Sequence, residues 1–126
     1  MSEKIKILVV EDHFINQELM KEMLDRLDCF VDTAENGKEA LARVEVNHYD
    51  VIFMDLQMPE MDGLEATREI RKIQTRKKIK TPIIALTANA MQGDKKKCLD
   101  AGMDDYLSKP FELKDIEKLL NKYCNF

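Results

Sequence analysis

Short apolar runs alternate along the chain with stretches in which apolar residues recur at helical spacing. Most of the runs are rich in β-branched residues, and they predict strands at Ile5–Val10, Phe30–Ala34, Val51–Met54, Pro82–Leu86 and Asp104–Leu107. Between and after them, spacings such as that of Ile15, Leu19 and Met23 are typical of amphipathic helices. The predicted order is therefore a strand followed by a helix, repeated five times.

Residues that begin or end helices lie between these runs. Asn36-Gly37 interrupts the chain after the second strand, and the segment 62–65 (DGLE) resembles a capping box in which Asp replaces Ser or Thr. Met91 and Cys98 indicate one side of a fourth helix, which Gly102 can close. These signals support the helix positions that the apolar spacing predicts.

The first, third and fourth runs are apolar throughout instead of alternating between apolar and polar residues. Strands of this kind are buried on both faces, as in parallel sheets that helices cover on both sides. The chain thus predicts an α/β fold with a doubly wound, five-stranded parallel sheet and five helices. Because the sequence shows no internal repeat and no linker, residues 1–126 are expected to form one domain.

Composition and charge exclude several classes of protein. With 44% hydrophobic residues and a net charge of −4, the chain lacks the basic excess of a polyanion binder. No apolar run approaches the ~20 residues that a membrane helix needs, and the N-terminus has no signal-peptide core. Cys29, Cys98 and Cys124 lack metal-site spacing, so reduced thiols are expected. These features favour a cytoplasmic protein without membrane insertion or direct nucleic-acid binding.

Polar residues follow the predicted strands at the place where an open α/β sheet binds ligands, the carboxyl edge. Glu11 and Asp12 follow the first strand and Asp55 ends the third. Thr87 follows the fourth strand and Lys109 follows the fifth. Each residue could be ordinary by itself, as a helix cap, a turn residue or a surface lysine. Their joint placement at one edge indicates a site.

Three carboxylates at one edge repel each other, so the cluster requires a cation. Two unit charges about 4 Å apart cost about 4 kcal/mol at an effective dielectric of 20, against a domain stability of ~5–15 kcal/mol. Oxygen ligands suit a hard ion, and Mg²⁺ is the expected cofactor. Such a site can accept a phosphoryl group: a carboxylate attacks phosphorus, Thr87 donates a hydrogen bond, and Mg²⁺ and Lys109 offset the oxygen charge.

Over nearly its whole length the chain resembles the receiver domain of two-component response regulators. The matching features are Glu11-Asp12, Asp55, the segment MPEMDG, Thr87 in ALTA, and Lys109-Pro110 in KPF. The resemblance implies the flavodoxin-like strand order 2-1-3-4-5. It also implies a phosphoacceptor signalling domain that takes a phosphoryl group from a kinase phosphohistidine and catalyses its own phosphorylation and dephosphorylation.

The resemblance gives the acidic residues their roles. Asp55 would be the phosphoacceptor, forming a 4-aspartylphosphate. Glu11, Asp12, Asp55 and the backbone carbonyl of Gln57 would hold Mg²⁺, with Asp12 a more direct ligand than Glu11. Mn²⁺ could substitute for Mg²⁺.

The resemblance also assigns the residues that respond to the phosphate. Thr87 and Lys109 would contact the phosphoryl group, and the Lys109–Pro110 peptide bond would be cis. Tyr106 would be the switch residue that turns inward as Thr87 moves, remodelling the face of helix 4, strand 5 and helix 5. Gln57 and Asn89 resemble the positions that tune the lifetime of the acyl phosphate.

A finer resemblance is to the receivers of hybrid sensor histidine kinases. It rests on Asn16-Gln17, Gln57, MDGLEATR and ALTANAM. His13 departs from it, because those receivers often carry Asn there; it is either a pH-sensitive neighbour of the site or a surface loop residue. Expected partners are a histidine kinase or a histidine phosphotransfer domain, with a phosphorylation-dependent dimer through the helix 4 to helix 5 face. The chain is either a stand-alone regulator or one receiver of a larger kinase.

Two other functions fit parts of the pattern. A Mg²⁺-dependent phosphohydrolase could use the same nucleophile, but aspartate-nucleophile phosphatases carry a second Asp where this chain has Gln57. A nucleotide- or flavin-binding module would need a Gly-rich or Ser/Thr-rich loop after the first strand. Glu11 and Asp12 occupy that loop and would repel a phosphate.

Overall fold

Strands and helices alternate along residues 4–56, 58, 61–88 and 95–124, which are the residues described by the structure, a computed structural model. The strands are β1 (Lys6–Val10), β2 (Phe30–Ala34), β3 (Val51–Asp55), β4 (Ile83–Thr87) and β5 (Asp105–Ser108). The helices are α1 (Phe14–Arg26), α2 (Gly37–Val46), α3 (Gly63–Lys77), α4 (Lys95–Ala101) and α5 (Leu113–Tyr123).

The described strands form a parallel sheet in the order β2-β1-β3-β4-β5. Both the predicted α/β fold and the strand order implied by the resemblance are confirmed. β3 lies at the centre, where Phe53 pairs with Val9 of β1 on one side and with Ile84 of β4 on the other. The chain changes direction across the sheet between β1 and β3, which is where ligands bind in this class of fold.

Helices cover both faces of the sheet and bury its apolar side chains. On one face, Leu24 of α1 and Leu120 of α5 belong to a single apolar cluster. On the other face, α2, α3 and α4 contribute Val44, Ile70 and Cys98 to a second cluster. Every residue of β3 and β4 is buried, as the continuous apolar runs predicted. None of the helices in the described ranges is long and apolar enough to cross a membrane.

Four predicted strands have boundaries that are wrong by one residue. β1 begins one residue late, at Lys6; β3 extends to Asp55; and β4 and β5 are displaced toward the carboxyl edge. The pairing between strands decides these ends, because Asp55 pairs with Leu86 and Thr87 pairs with Ser108. A single run of sequence does not reveal its partner. Asp55 and Thr87 therefore belong to the strands themselves and share the rigidity of the sheet.

The helix ends follow the predicted signals. The side chain of Asp62 accepts a hydrogen bond from the backbone N–H of Glu65 at 2.8 Å, which is the N-cap bond of the predicted capping box. After α4, Gly102 has a φ of 104°, a left-handed conformation that glycine adopts without strain. The predictions for Gln57, Asn89 and Met91 lie outside the described residues.

Two helices begin with a glycine directly after a side-chain cap, Gly37 in α2 and Gly63 in α3. Their surroundings differ. A Cβ added at Gly63 would lie 2.2 Å from the backbone carbonyl oxygen of Asp55. One added at Gly37 would lie 2.8 Å from the side chain of Met61. The start of α3 therefore rests directly on the backbone at the end of β3.

This close approach makes Gly63→Ala a test of the fold near Asp55. The substitution is expected to cost on the order of 2–4 kcal/mol of unfolding free energy, because its methyl group meets backbone that cannot turn away. Gly37→Ala is the matched control, with the same helix position and the same kind of cap; Met61 can repack there, so its loss should be smaller. Urea unfolding measures both, and equal losses would contradict the contact.

Candidate functional site

The acidic residues lie together at the carboxyl edge of the sheet. Glu11 and Asp12 follow β1, and Asp55 ends the adjacent strand β3. The side chains of Glu11 and Asp55 are only 1% and 7% exposed. The side-chain amide of Gln17 donates a hydrogen bond to the backbone carbonyl of Glu11 at 2.5 Å. α1 therefore fixes the backbone that carries the first acid.

Lys109 brings a positive charge to the two buried carboxylates. Its Nζ lies 3.6 Å from Oε2 of Glu11 and 3.8 Å from Oδ1 of Asp55. The Lys109–Pro110 peptide bond is cis, as the resemblance implied. The backbone N–H of Lys109 donates to the carbonyl of Thr87 at 2.8 Å. This lysine is thus attached to the end of β4 while its ammonium group reaches the acids of β1 and β3.

The pKa of Glu11 reflects competition between burial and partners that favour the charged form. Burial alone would raise it. The charge of Lys109 lowers it, as do donors from the His13 backbone and the Asn16 side chain. The pKa of Glu11 consequently lies below its usual value. The carboxylate remains charged although it is buried, because the site supplies donors and a cation.

Thr87 and Tyr106 lie on the two strands beyond β3. Thr87 ends β4 and is 5% exposed, one residue after the Leu86 that pairs with Asp55. Tyr106 lies in β5 and pairs with Ala85 of β4, and its half-buried ring packs on the apolar cluster beneath α2, α3 and α4. The structure thus brings Thr87 to the same edge as the acids and places Tyr106 behind it on the neighbouring strand.

Asp12 supplies the clearest indication of a cation. Its Oδ1 is buried, yet no residue that the structure describes donates a hydrogen bond to it. A buried carboxylate oxygen without a donor is costly unless an ion or water meets it. The carboxylates of Glu11, Asp12 and Asp55 are the hard oxygen ligands that Mg²⁺ prefers. These residues fit a divalent cation, while the predicted ligand Gln57 and the position Asn89 lie outside the described residues.

Two polar residues beside Glu11 complete the surroundings of the acid pair: His13, one of whose two interpretations from the sequence was a neighbour of the site, and Asn16, whose contact was not predicted. Asn16 Nδ2 donates to Oε1 of Glu11 at 3.4 Å, and the His13 N–H donates to the same oxygen at 3.3 Å. The His13 ring nitrogen Nδ1 lies 3.1 Å from Oδ1 of Asp12. Because α1 begins at Phe14, its first turn had to face the end of β1, and this position was the signal that could have revealed these contacts.

Apolar surface borders the acidic cleft. A cavity of about 330 Å³ opens between α1 and the loop after β5, and its apolar lining consists of Leu19, Met20, Leu86, Pro110 and Phe111. Nearby on α1, the side chains of Phe14 and Ile15 are 70% and 79% exposed. The rim of the site therefore offers contact surface as well as charge.

The fold and the site together define a signalling receiver domain, with an acid pair after β1, an aspartate ending β3, and a hydroxyl and a lysine from β4 and the loop after β5. The chain belongs to the response regulator receiver domain family, whose model matches residues 7–121. The resemblance seen in the sequence is confirmed.

Similar proteins include receivers of histidine kinases. Hybrid signal transduction histidine kinase G of Dictyostelium discoideum is 48% identical over 124 residues, covering 97% of this chain and 4% of that protein. The chain therefore spans a small fraction of that kinase's length. The receiver domain of sensor histidine kinase PA1611 from Pseudomonas aeruginosa PAO1, solved with a magnesium ion coordinated in its active site cleft, is 42% identical. It has a TM-score of 0.88 and covers 98% of this chain and 100% of its own.

A third relative was solved with a partner. The receiver domain of the response regulator Ssk1 from Saccharomyces cerevisiae, in complex with the histidine phosphotransfer protein Ypd1, is 34% identical with a TM-score of 0.89. The match covers 98% of this chain and 90% of that one. The finer resemblance to receivers of hybrid kinases is supported by the 48% identity to hybrid kinase G.

Repulsion between the neighbouring carboxylates is expected to lower the unfolding free energy of the metal-free protein. Asp12→Asn and Asp55→Asn should each stabilise the protein in EDTA by on the order of 1 kcal/mol, because each removes one like charge. Mg²⁺ should raise the thermal midpoint of the wild type by mass action. Asp25→Asn, on the exposed side of α1, controls for the change in net charge. A cleft variant that melts below the wild type in EDTA would contradict the repulsion.

Proposed function

We propose that this receiver domain accepts a phosphoryl group from a partner's phosphohistidine onto Asp55. The observation that carries the proposal is the position of the Asp55 carboxylate at the end of a fully buried strand, with Oδ1 3.8 Å from Lys109 Nζ. A carboxylate oxygen would attack phosphorus while the bond from phosphorus to the histidine nitrogen breaks. The products are an aspartyl phosphate and a free imidazole.

Mg²⁺ is the proposed cofactor, held by Glu11, Asp12, Asp55 and the carbonyl of Gln57, with Mn²⁺ as a substitute. When bound, the ion offsets negative charge on the phosphoryl oxygens. The buried Asp12 oxygen, which accepts no hydrogen bond from the residues that the structure describes, supports this assignment, as does the magnesium ion in the similar receiver of PA1611. The ammonium group of Lys109 would stabilise the same oxygens from the β5 side.

Thr87 and Tyr106 are the proposed switch. Phosphorylation adds a charge of about −1.5 to −2 and several acceptor oxygens, which would draw the Thr87 hydroxyl toward Asp55. β4 and β5 are joined at this end, since the Lys109 N–H donates to the Thr87 carbonyl. A movement of Thr87 would therefore change the packing of Tyr106 and the face of α4, β5 and α5. Gln57 and Asn89 are proposed to set the lifetime of the phosphate.

The proposed partner is a histidine kinase or histidine phosphotransfer domain that docks against α1. Because the Asp55 side chain is 7% exposed, a donor histidine must press against the rim of the cleft to reach it. Phe14, Ile15 and Leu19 expose apolar side chains on that rim. The Ssk1 receiver solved with Ypd1 supports this class of partner.

The proposal also includes the domain organisation, location and assembly of the protein. Residues 1–126 are taken as a single receiver domain, either alone or within a hybrid kinase. A cytoplasmic location is supported by the free thiols of Cys29, Cys98 and Cys124. Dimerisation through the α4 to α5 face and the lack of direct nucleic-acid binding complete the expectations. The phosphohydrolase alternative finds no support in the relatives described above.

Asp55→Asn should abolish Mg²⁺-dependent labelling by a phosphohistidine donor, because an amide cannot act as the nucleophile. Incorporation of labelled phosphate is measured for the wild type, this variant and Asp25→Asn, which should label like the wild type. The wild type should take up one phosphate per chain. Undiminished labelling of Asp55→Asn would refute the assignment, and turnover well beyond one equivalent would favour a phosphohydrolase.

Ile15→Ala should slow transfer from a phosphohistidine protein by roughly tenfold, because it removes a large exposed apolar contact at the rim. The rate with a small donor such as acetyl phosphate serves as the internal reference, since that donor needs no docking surface. Val46→Ala, at an 80% exposed apolar position on α2, is the matched control. If both variants slowed protein-mediated transfer equally, the α1 surface would not be the docking site.

A further inference from the structure

His13 lies against the acid pair in a position that the proposed magnesium site does not use. Its Nδ1 is 3.1 Å from Oδ1 of Asp12 and 3.4 Å from Oε1 of Glu11. One potential ligand atom from each of these three side chains lies within 4.8 Å of the others. The ring is 72% exposed, so it can approach an ion without further burial. His13 Nδ1 thus places a possible nitrogen ligand beside the carboxylates of Glu11 and Asp12.

These spacings match those of ligands around one ion. For metal–ligand distances of about 2.0–2.1 Å, neighbouring ligands lie about 2.9 Å apart in an octahedron and about 3.3 Å apart in a tetrahedron. The two distances from Nδ1, 3.1 and 3.4 Å, fall in or near this range. Small movements of an exposed ring would complete either geometry.

The buried carboxylate oxygen of Asp12 also points to a cation at this place. Its Oδ1 is buried and accepts no hydrogen bond from the described part of the chain, although Nδ1 of His13 is near. In Glu11, Oε2 faces the ammonium group of Lys109, whereas Oε1 faces His13 and Asn16 over distances of 3.3 to 3.4 Å. Oε1 and Oδ1 are therefore the oxygens that an ion beside His13 would meet.

We infer that the cleft binds a divalent transition ion of the Zn²⁺, Co²⁺ or Ni²⁺ class, with His13 Nδ1 as a nitrogen ligand beside Asp12 and Glu11. Imidazole suits these ions, whereas Mg²⁺ prefers oxygen ligands throughout. Because both ions use Asp12, the transition ion competes with Mg²⁺. His13 thereby gives this receiver a cation preference that an amide at the same position would not give.

Co²⁺ is the probe, because nitrogen coordination changes its visible absorption and its binding heat can be measured. Metal-free wild type, His13→Asn and His48→Asn are titrated with Co²⁺ and, separately, with Mg²⁺. His13→Asn should weaken Co²⁺ binding by at least roughly tenfold, and weaken Mg²⁺ binding by much less. His48→Asn is the matched control, since His13 and His48 are the two histidines of the chain, and it should bind Co²⁺ like the wild type.

Proton NMR of the wild type provides a second measurement that needs no variant. Co²⁺ should broaden the ring signals of His13 at lower concentration than those of His48. Equal Co²⁺ affinity in wild type and His13→Asn, or earlier broadening of His48, would overturn the inference. It rests on the proposed function only in sharing Glu11 and Asp12. A wild type that is not phosphorylated with Mg²⁺ would refute that function, whereas the Co²⁺ titrations need no phosphorylation.

Discussion

Two carboxylates buried side by side, Glu11 and Asp55, depend on the ammonium group of Lys109, and much of the site's architecture serves this arrangement. Buried charges are tolerated when they are paired and hydrogen-bonded, and are otherwise strongly destabilising. Here the lysine lies 3.6 and 3.8 Å from the two acids, close enough to offset charge but longer than a hydrogen bond. The ammonium group of Lys109 thus faces two acids, and Asp12 adds a third at the cleft. The site is therefore poised to take a further cation.

Rigid backbone holds these charges together. Asp55 is the last residue of a strand that is buried throughout, and it is paired on the β4 side with Leu86. The first residue of α3, Gly63, packs so closely on the Asp55 carbonyl that a side chain would not fit. The Glu11 backbone is held in turn by Gln17 and by Ala34 of β2. Because the backbone keeps the acids from moving apart, their repulsion persists in the metal-free site, and a bound metal ion would reduce it.

The sequence predicted the fold, and it predicted that the polar residues after the strands lie at one edge, because both depend on patterns along the chain. Continuous apolar runs marked the buried strands, and parallel strands necessarily present their following residues at one edge. Strand ends were misplaced by one residue because the final pairing of Asp55 and Thr87 depends on other strands. The contact of Gly63 with Asp55 depends on packing, which no spacing rule supplies. The position of His13 just before α1 indicates that it lies near Asp12, but the oxygen that its ring meets depends on side-chain rotamers.

At the amino ends of β4 and β5, opposite the site, hydrogen bonds restrain the face along which a signal from Asp55 would travel. Arg71 of α3 donates hydrogen bonds to the carbonyls of Gly102 and Thr81 and to the carboxylate of Asp104, at 2.6 to 2.8 Å. These bonds tie the end of α4 and the approaches to β4 and β5 to one helix. At the carboxyl edge, Thr87 would meet the proposed phosphate instead. If Thr87 moves as proposed, the far end of the α4–β5 region stays bonded to Arg71, so the rearrangement would be confined to the end near the site.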